Sequence, residues 1–122
     1  MKTYYISKKP PSVNELFGTN FKTKRRFTSK KYEEWQADAM QEVLEKGKSG
    51  IEGDFAMRIY IPFKFRRANA DLLNLEKAIT DLLVKAGLIP DDRHLVNFAM
   101  RWADCDKVEV SVFQSTDTIM AG

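Results

Sequence analysis

Thiol and imidazole are scarce in this chain. Among its 122 residues there is one cysteine, Cys105, and one histidine, His94. A lone cysteine closes no internal disulfide, and one cysteine with one histidine falls short of the four ligands of a structural zinc site. No apolar run approaches the ~20 residues that span a bilayer. The opening MKTYYISKKPP has no signal-peptide core, so a cytoplasmic, reducing setting with no membrane partner is the expectation. Internal repeats and low-complexity stretches are absent too. GKSG, at 47–50, lacks the upstream glycine of a phosphate-cradling Walker loop.

What is present fits one ordinary globular domain over residues 1–122: 43% hydrophobic and 30% charged residues. The net charge of +3 hides an asymmetry. Residues 1–31 carry nine Lys/Arg and a single acid, Glu15; the remainder carries eleven Lys/Arg and sixteen Asp/Glu. A basic arm ahead of an acidic body favours a polyanionic partner met by the N-terminal segment. FKTKRRFTSKK concentrates that charge in Lys22, Lys24, Arg25, Arg26, Lys30 and Lys31, with Phe21 and Phe27 interleaved. The two rings either stack on bases or anchor the loop to the core.

Local patterns predict the order β-α-β-α-β-β. KTYYIS, 2–7, reads as a strand, ended by Pro10 and Pro11. Residues 12–28 show no clear period and read as an irregular loop. Ser29 suits a helix N-cap; Tyr32, Trp35, Ala39 and Val43 follow helical spacing; Lys46 and Gly47 end that helix. DFAMRIYIPFKF, 54–65, reads as a strand in which Pro62 suggests an edge position or a bulge. Asp71 caps a second helix over about Leu72–Ala86, with Asn74, Lys77, Asp81 and Lys85 as its polar stripe. Leu95–Trp102 and Lys107–Phe113 form a hairpin joined by ADCD, and a tail from about 114 to 122 is expected to fray. The fold class expected is α+β, a mixed sheet with helices on one face.

The carboxylates around the second helix are the chemical signal. Mg²⁺ takes oxygen ligands, commonly one or two carboxylates with water and phosphate. Asp71, Asp91 and Asp92 are candidate ligands, Lys77 a candidate to stabilise phosphate charge, and Arg66 and Arg67 candidates to hold a nucleic-acid backbone. The plainer reading makes Asp71 a helix cap and Asp91–Asp92 a turn after Pro90. Geometry adds a constraint: a helix of about 15 residues is roughly 22 Å long, and residues 87–92 span at most about 20 Å. Either the helix is shorter or bent, or acids from two subunits meet.

The stretch RRANADLLNLEKAITDLLVKAGLIPDD resembles the signature of the RusA family of Holliday junction resolvases: roughly Arg-Arg-x-Asp-x-Asp-Asn-x-x-Lys, an apolar helix, Ala-Gly and Asp-Asp. PPSVNELF and TSKKYEEW are similar as well. The resemblance implies a small α+β homodimer that cleaves four-way DNA by paired symmetric nicks in recombination and repair. It implies Mg²⁺ dependence, with Mn²⁺ as a substitute, and no small-molecule cofactor. By position, Asp71, Lys77 and Asp92 match catalytic residues, Asp91 completes the acidic pair, and Asn74 matches the family Asn. Asn14, in PPSVNELF, joins the DNA-contacting set.

One position departs. The family's second Asp falls on Leu73, which neither ligates metal nor moves a proton. Glu76, about one turn on, either substitutes for it or pairs with a nearby lysine. The alternatives to a nuclease are a catalytically weakened dimer that binds branched DNA, and a small α+β protein using its basic arm for RNA or an acidic protein. His94 either touches phosphate or is satisfied locally. Cys105, without an obvious base, is not expected to be a nucleophile. Trp35 and Trp102 are expected in core or dimer contacts.

Overall fold

The computed structural model describes residues 1–20, 22–23, 25–67 and 71–115. Phe21, Lys24, residues 68–70 and nearly all of the expected frayed tail lie outside them. Four strands form the main sheet: β1 (Lys2–Ile6), β4 (Phe55–Pro62), β5 (Leu95–Ala103) and β6 (Val108–Gln114), in the order β1-β6-β4-β5. A hairpin, β2 (Phe17–Asn20) and β3 (Arg25–Thr28), stands apart as a second, two-stranded sheet. Two helices complete the α+β domain, α1 (Lys30–Lys46) and α2 (Glu76–Lys85). Among the described residues no helix is long and apolar enough to cross a membrane.

The pairing is antiparallel for β1–β6 and β6–β4 and parallel for β4–β5. Parallel neighbours need a crossover, and α2 supplies it. Alternation sorts the faces: Met57, Ile59 and Ile61 of β4, Tyr4 and Ile6 of β1, and Val108, Val110 and Val112 of β6 all enter one core. Helix residues Trp35, Ala39 and Val43, then Ile79, Leu82 and Leu83, meet them there. Each such aliphatic side chain contributes about 1.5–3 kcal/mol by leaving water. On the opposite face Arg58 lies over the Phe113 ring and Arg101 over Tyr60.

Local chemistry fixes α1. The Ser29 hydroxyl accepts from the Tyr32 amide at 3.1 Å and donates to the Glu15 carbonyl at 2.6 Å. Lys46 sits in the last turn, and Gly47 follows with φ of +77°, a conformation that glycine adopts without a Cβ penalty. The Tyr4 hydroxyl donates to the Gly47 carbonyl at 2.7 Å and ties β1 to the end of α1. Trp35, buried as expected, donates from its indole N–H to the Lys8 carbonyl.

Four sequence expectations change, the first being the ADCD hairpin: β5 and β6 do not pair with each other, because β4 lies between them, parallel to β5 and antiparallel to β6. The segment 12–28 is not one irregular loop: it holds a 3-10 turn at Val13–Glu15 and then the β2–β3 hairpin. Four-residue strands in a polar, basic stretch leave too short an alternation to read. At Gly18 the Phe27 ring lies where a Cβ would stand, 2.4 Å away, so a larger residue there would have to push that exposed ring aside. Next, β4 is a central strand, buried at both ends, and Pro62 is its last residue, so its missing N–H costs the sheet little. Finally, Leu72–Leu75 forms a 3-10 turn, and α2 proper begins at Glu76 and ends at Lys85. At the other end of the chain, β6 extends to Gln114, whose amide donates to the carbonyls of Glu52 and Asp54.

Candidate functional site

The crossover from β4 back to the start of β5 carries every candidate acid. Phe63–Phe65 turns the chain out of β4, and Arg66 and Arg67 follow, both exposed. Asp71 then caps the 3-10 turn: its Oδ1 accepts from the Leu73 amide at 3.1 Å, and its carbonyl accepts from the Asn74 amide. One carboxylate oxygen is thus committed to the backbone. Asn74 is half-buried. The turn at Val13–Glu15 packs against this segment and against α2, which brings exposed Asn14 to the start of the crossover.

Leu73, at the position of the family's second Asp, is 68% exposed. Glu76 is half-buried and forms no ion pair with a lysine among the described residues. Its carboxylate accepts from the Thr80 hydroxyl at 3.1 Å. Lys77 is exposed and pairs with Asp81, one turn further along, at 3.2 Å.

Past α2, Gly87 has φ of +70°, and Leu88 and Ile89 are buried as a plug beneath the connection. Asp91 caps the 3-10 turn Asp92–His94, accepting from the Arg93 amide at 3.0 Å. That amide first, then a hydrogen bond with the Asp92 carboxyl group, holds Asp91 below the usual carboxylate range. Asp92 is exposed and lines a cleft of about 350 Å³ with Phe17, Thr28, Tyr32, Gln36, Asp81, Val84 and Lys85. His94 is satisfied by Asp54, Nδ1 to Oδ1 at 3.2 Å.

Two groupings result. Asp91 and Asp92 stand side by side, and Asp92 shares its cleft with Asp81, which the sequence offers only as one member of a polar stripe. Its signal is the Lys77–Asp81 spacing of four. Asp71 precedes the crossover's helical run, Leu72–Leu75 and then α2, which is about 23 Å long, and the acid pair follows it. Among the described residues no three acidic, histidine or cysteine side chains gather to hold a metal ion. Within one chain, Asp71, Asp91 and Asp92 therefore do not form a three-ligand site. The donor set still suits Mg²⁺: carboxylate oxygens are hard ligands, and an adjacent pair with water completing the shell is usual for that ion.

The basic arm is unevenly available. Arg25 and Arg26 are exposed on β3, and the Arg26 guanidinium lies 4.1 Å above the Phe17 ring at the wall of the cleft. Lys22 is exposed in the hairpin's turn. Lys30 lies 3.9 Å from Glu34, and Lys31 is paired with Glu15. Lys31 and Ser12 together draw the Glu15 pKa down to about 2. A wider hollow of about 420 Å³ at Lys8, Lys9, Lys31 and Trp35 offers no comparable chemistry, since Lys8 is paired with Asp38 and Lys31 with Glu15. Cys105 is half-buried; burial, then the negative charge of Glu109, raises its pKa, which disfavours the thiolate.

No curated protein matches the chain in a sequence comparison. A family model does: endodeoxyribonuclease RusA, over residues 8–113, which takes in the basic hairpin, both helices and the whole crossover. Matched over most of its length, and with the carboxylates and Lys77 disposed around one crossover helix, the chain belongs to the RusA endodeoxyribonuclease family.

Proposed function

We propose that the chain is a Mg²⁺-dependent endonuclease that resolves four-way DNA junctions by paired symmetric nicks. The family match over residues 8–113 carries this reading. It acts as a homodimer in which Asp71 of one subunit joins Asp91 and Asp92 of the other. The separation of these acids along the α2 crossover supports that sharing, because a single chain gathers no three of them.

Asp71, Asp91 and Asp92 would hold the metal, which when bound supplies charge neutralisation at the phosphodiester and an activated water. The chain's own groups do the rest. The Lys77 ammonium stabilises charge that develops on the phosphate oxygens. Arg66, Arg67, Lys22, Arg25, Arg26 and Lys30 hold backbone phosphates, Asn14 and Asn74 add polar contacts, and the basic hairpin steers the approach of DNA. Glu76, its rotamer fixed by Thr80, substitutes for the acid missing at position 73.

A second reading has its own support. Leu73 is exposed where the family pattern has an acid, which favours a dimer that binds branched DNA without cutting it. A synthetic four-way junction incubated with Mg²⁺, and again with EDTA, separates the two. Paired nicks lost on chelation support the nuclease; tight junction binding without nicks supports the second reading.

A further inference from the structure

Asp81 sits where three other elements converge. On its own helix its Oδ2 forms an ion pair with the Lys77 ammonium at 3.2 Å. An exposed pair of this spacing contributes little by itself. This pair has neighbours, however. Tyr32 of α1 is buried, and its hydroxyl is held protonated by that burial first and then by the negative charge of Asp81. Phe17 of β2 and Asp92 of the turn after α2 line the same cleft of about 350 Å³ as Asp81. The Asp81 side chain is only 36% exposed. Its carboxylate is therefore walled on one side by α1 and faces Lys77 on the other.

We propose that Asp81 is a positioning residue for Lys77, holding the ammonium beside the cleft that Asp92 lines. The inference rests on the reading of the chain as a nuclease. Lysine carries its charge on a flexible four-carbon stem, so an unanchored ammonium samples many positions in solvent. Paired with Asp81, the ammonium still has N–H donors to offer phosphate oxygens. The contact with phosphate matters most as charge builds up in the transition state. Losing the anchor therefore lowers the cleavage rate more than junction affinity.

The test compares the wild type, Asp81→Asn, Lys77→Ala and the double variant in single-turnover cleavage of a four-way junction with Mg²⁺. Junction affinity in EDTA and thermal melts accompany each. Asp81→Asn is expected to cut about ten- to a hundredfold more slowly, as misplaced positioning groups do. Its junction affinity should stay within about twofold, because the group acts in the transition state rather than in binding. The double variant should be no slower than Lys77→Ala, because Asp81 acts through Lys77. Asp81→Glu, which keeps the charge one methylene further out, should recover much of the rate. An unaltered Asp81→Asn rate, or losses that multiply in the double variant, would overturn the positioning role alone. A wild type that never nicks the junction would overturn the nuclease reading and this inference with it.

Discussion

Thr80, 3% exposed, donates its hydroxyl to the Glu76 carboxylate across one turn of α2, at 3.1 Å. A buried hydroxyl satisfied in this way fixes the acid's rotamer on the helix that carries Lys77. Glu76 is thereby preorganised near the position where Leu73 leaves the family pattern without a carboxylate. Glu76→Gln keeps an oxygen acceptor for Thr80 and removes only the charge. Cleavage should fall at least about tenfold, as for loss of one electrostatic contact in a site, with Tm within about 2 °C of wild type. Unchanged cleavage would show that Glu76 serves the helix alone, and that the missing acid at 73 has no replacement.

The start of α1 depends on one hydroxyl. Ser29 caps the helix at the Tyr32 amide and also reaches the Glu15 carbonyl, joining the helix to the turn before the hairpin. Ser29→Ala should cost about 1–2 kcal/mol, the upper part of the range for caps, measured by urea unfolding. A loss below about 0.5 kcal/mol would place the helix start under the control of packing at Tyr32 and Trp35 instead.

Acid should weaken the same corner. The Lys31 ammonium, and then the Ser12 backbone amide, depress the Glu15 pKa from 4.5 to about 2. A depressed carboxylate stabilises the fold above its unfolded pKa and loses that contribution as pH falls through the folded one. The window is therefore about pH 4.5 down to about 2. The pair is partly exposed, with side chains 38% and 63% accessible, so solvent screening limits the effect to about 1 kcal/mol or less. Melts of Glu15→Gln should lie below wild type at pH 7 and converge with it near pH 2. A constant gap between the two across that range would contradict the assignment.

Salt titrations should separate the basic residues. Arg25→Ala and Arg26→Ala should each reduce the slope of log affinity against log salt by about 1, because each removes one phosphate contact. Lys31→Ala should leave the slope nearly unchanged, since Glu15 already neutralises that ammonium. Equal effects from all three would mean that the Glu15–Lys31 pair opens on DNA.

Much of this was legible in the sequence because it is written in local chemistry. Ser29, Lys46 and Gly47 mark the ends of α1, and Tyr32, Trp35, Ala39 and Val43 mark its buried face. The spacing from Asp71 through Lys77 to Asp92 marks the family. Relationships made in three dimensions were hidden. Nothing in FGTN or RRFT announces a hairpin until Phe27 is seen lying over Gly18. The centrality of β4 depends on its pairing with β5 and β6, which Pro62 obscures. Asp81 comes to line a cleft only when Tyr32, Asp92 and Phe17 are brought around it from three elements. The length constraint on the crossover, by contrast, followed from counting residues; in the structure the helix is shorter than counted, with a 3-10 turn at Leu72–Leu75 ahead of α2.

That constraint supplies the most direct test of the account, whose centre is the sharing of carboxylates between two chains. Asp71→Asn and Asp92→Asn proteins, each inactive alone, are mixed at equal concentration under conditions where subunit exchange is verified. Half of the dimers then contain one chain of each kind. Each of these holds one composite site with both acids intact, so nicking of a four-way junction should return to about a quarter of the wild-type level for a two-fold dimer. No recovery of nicking in the exchanged mixture would contradict shared sites.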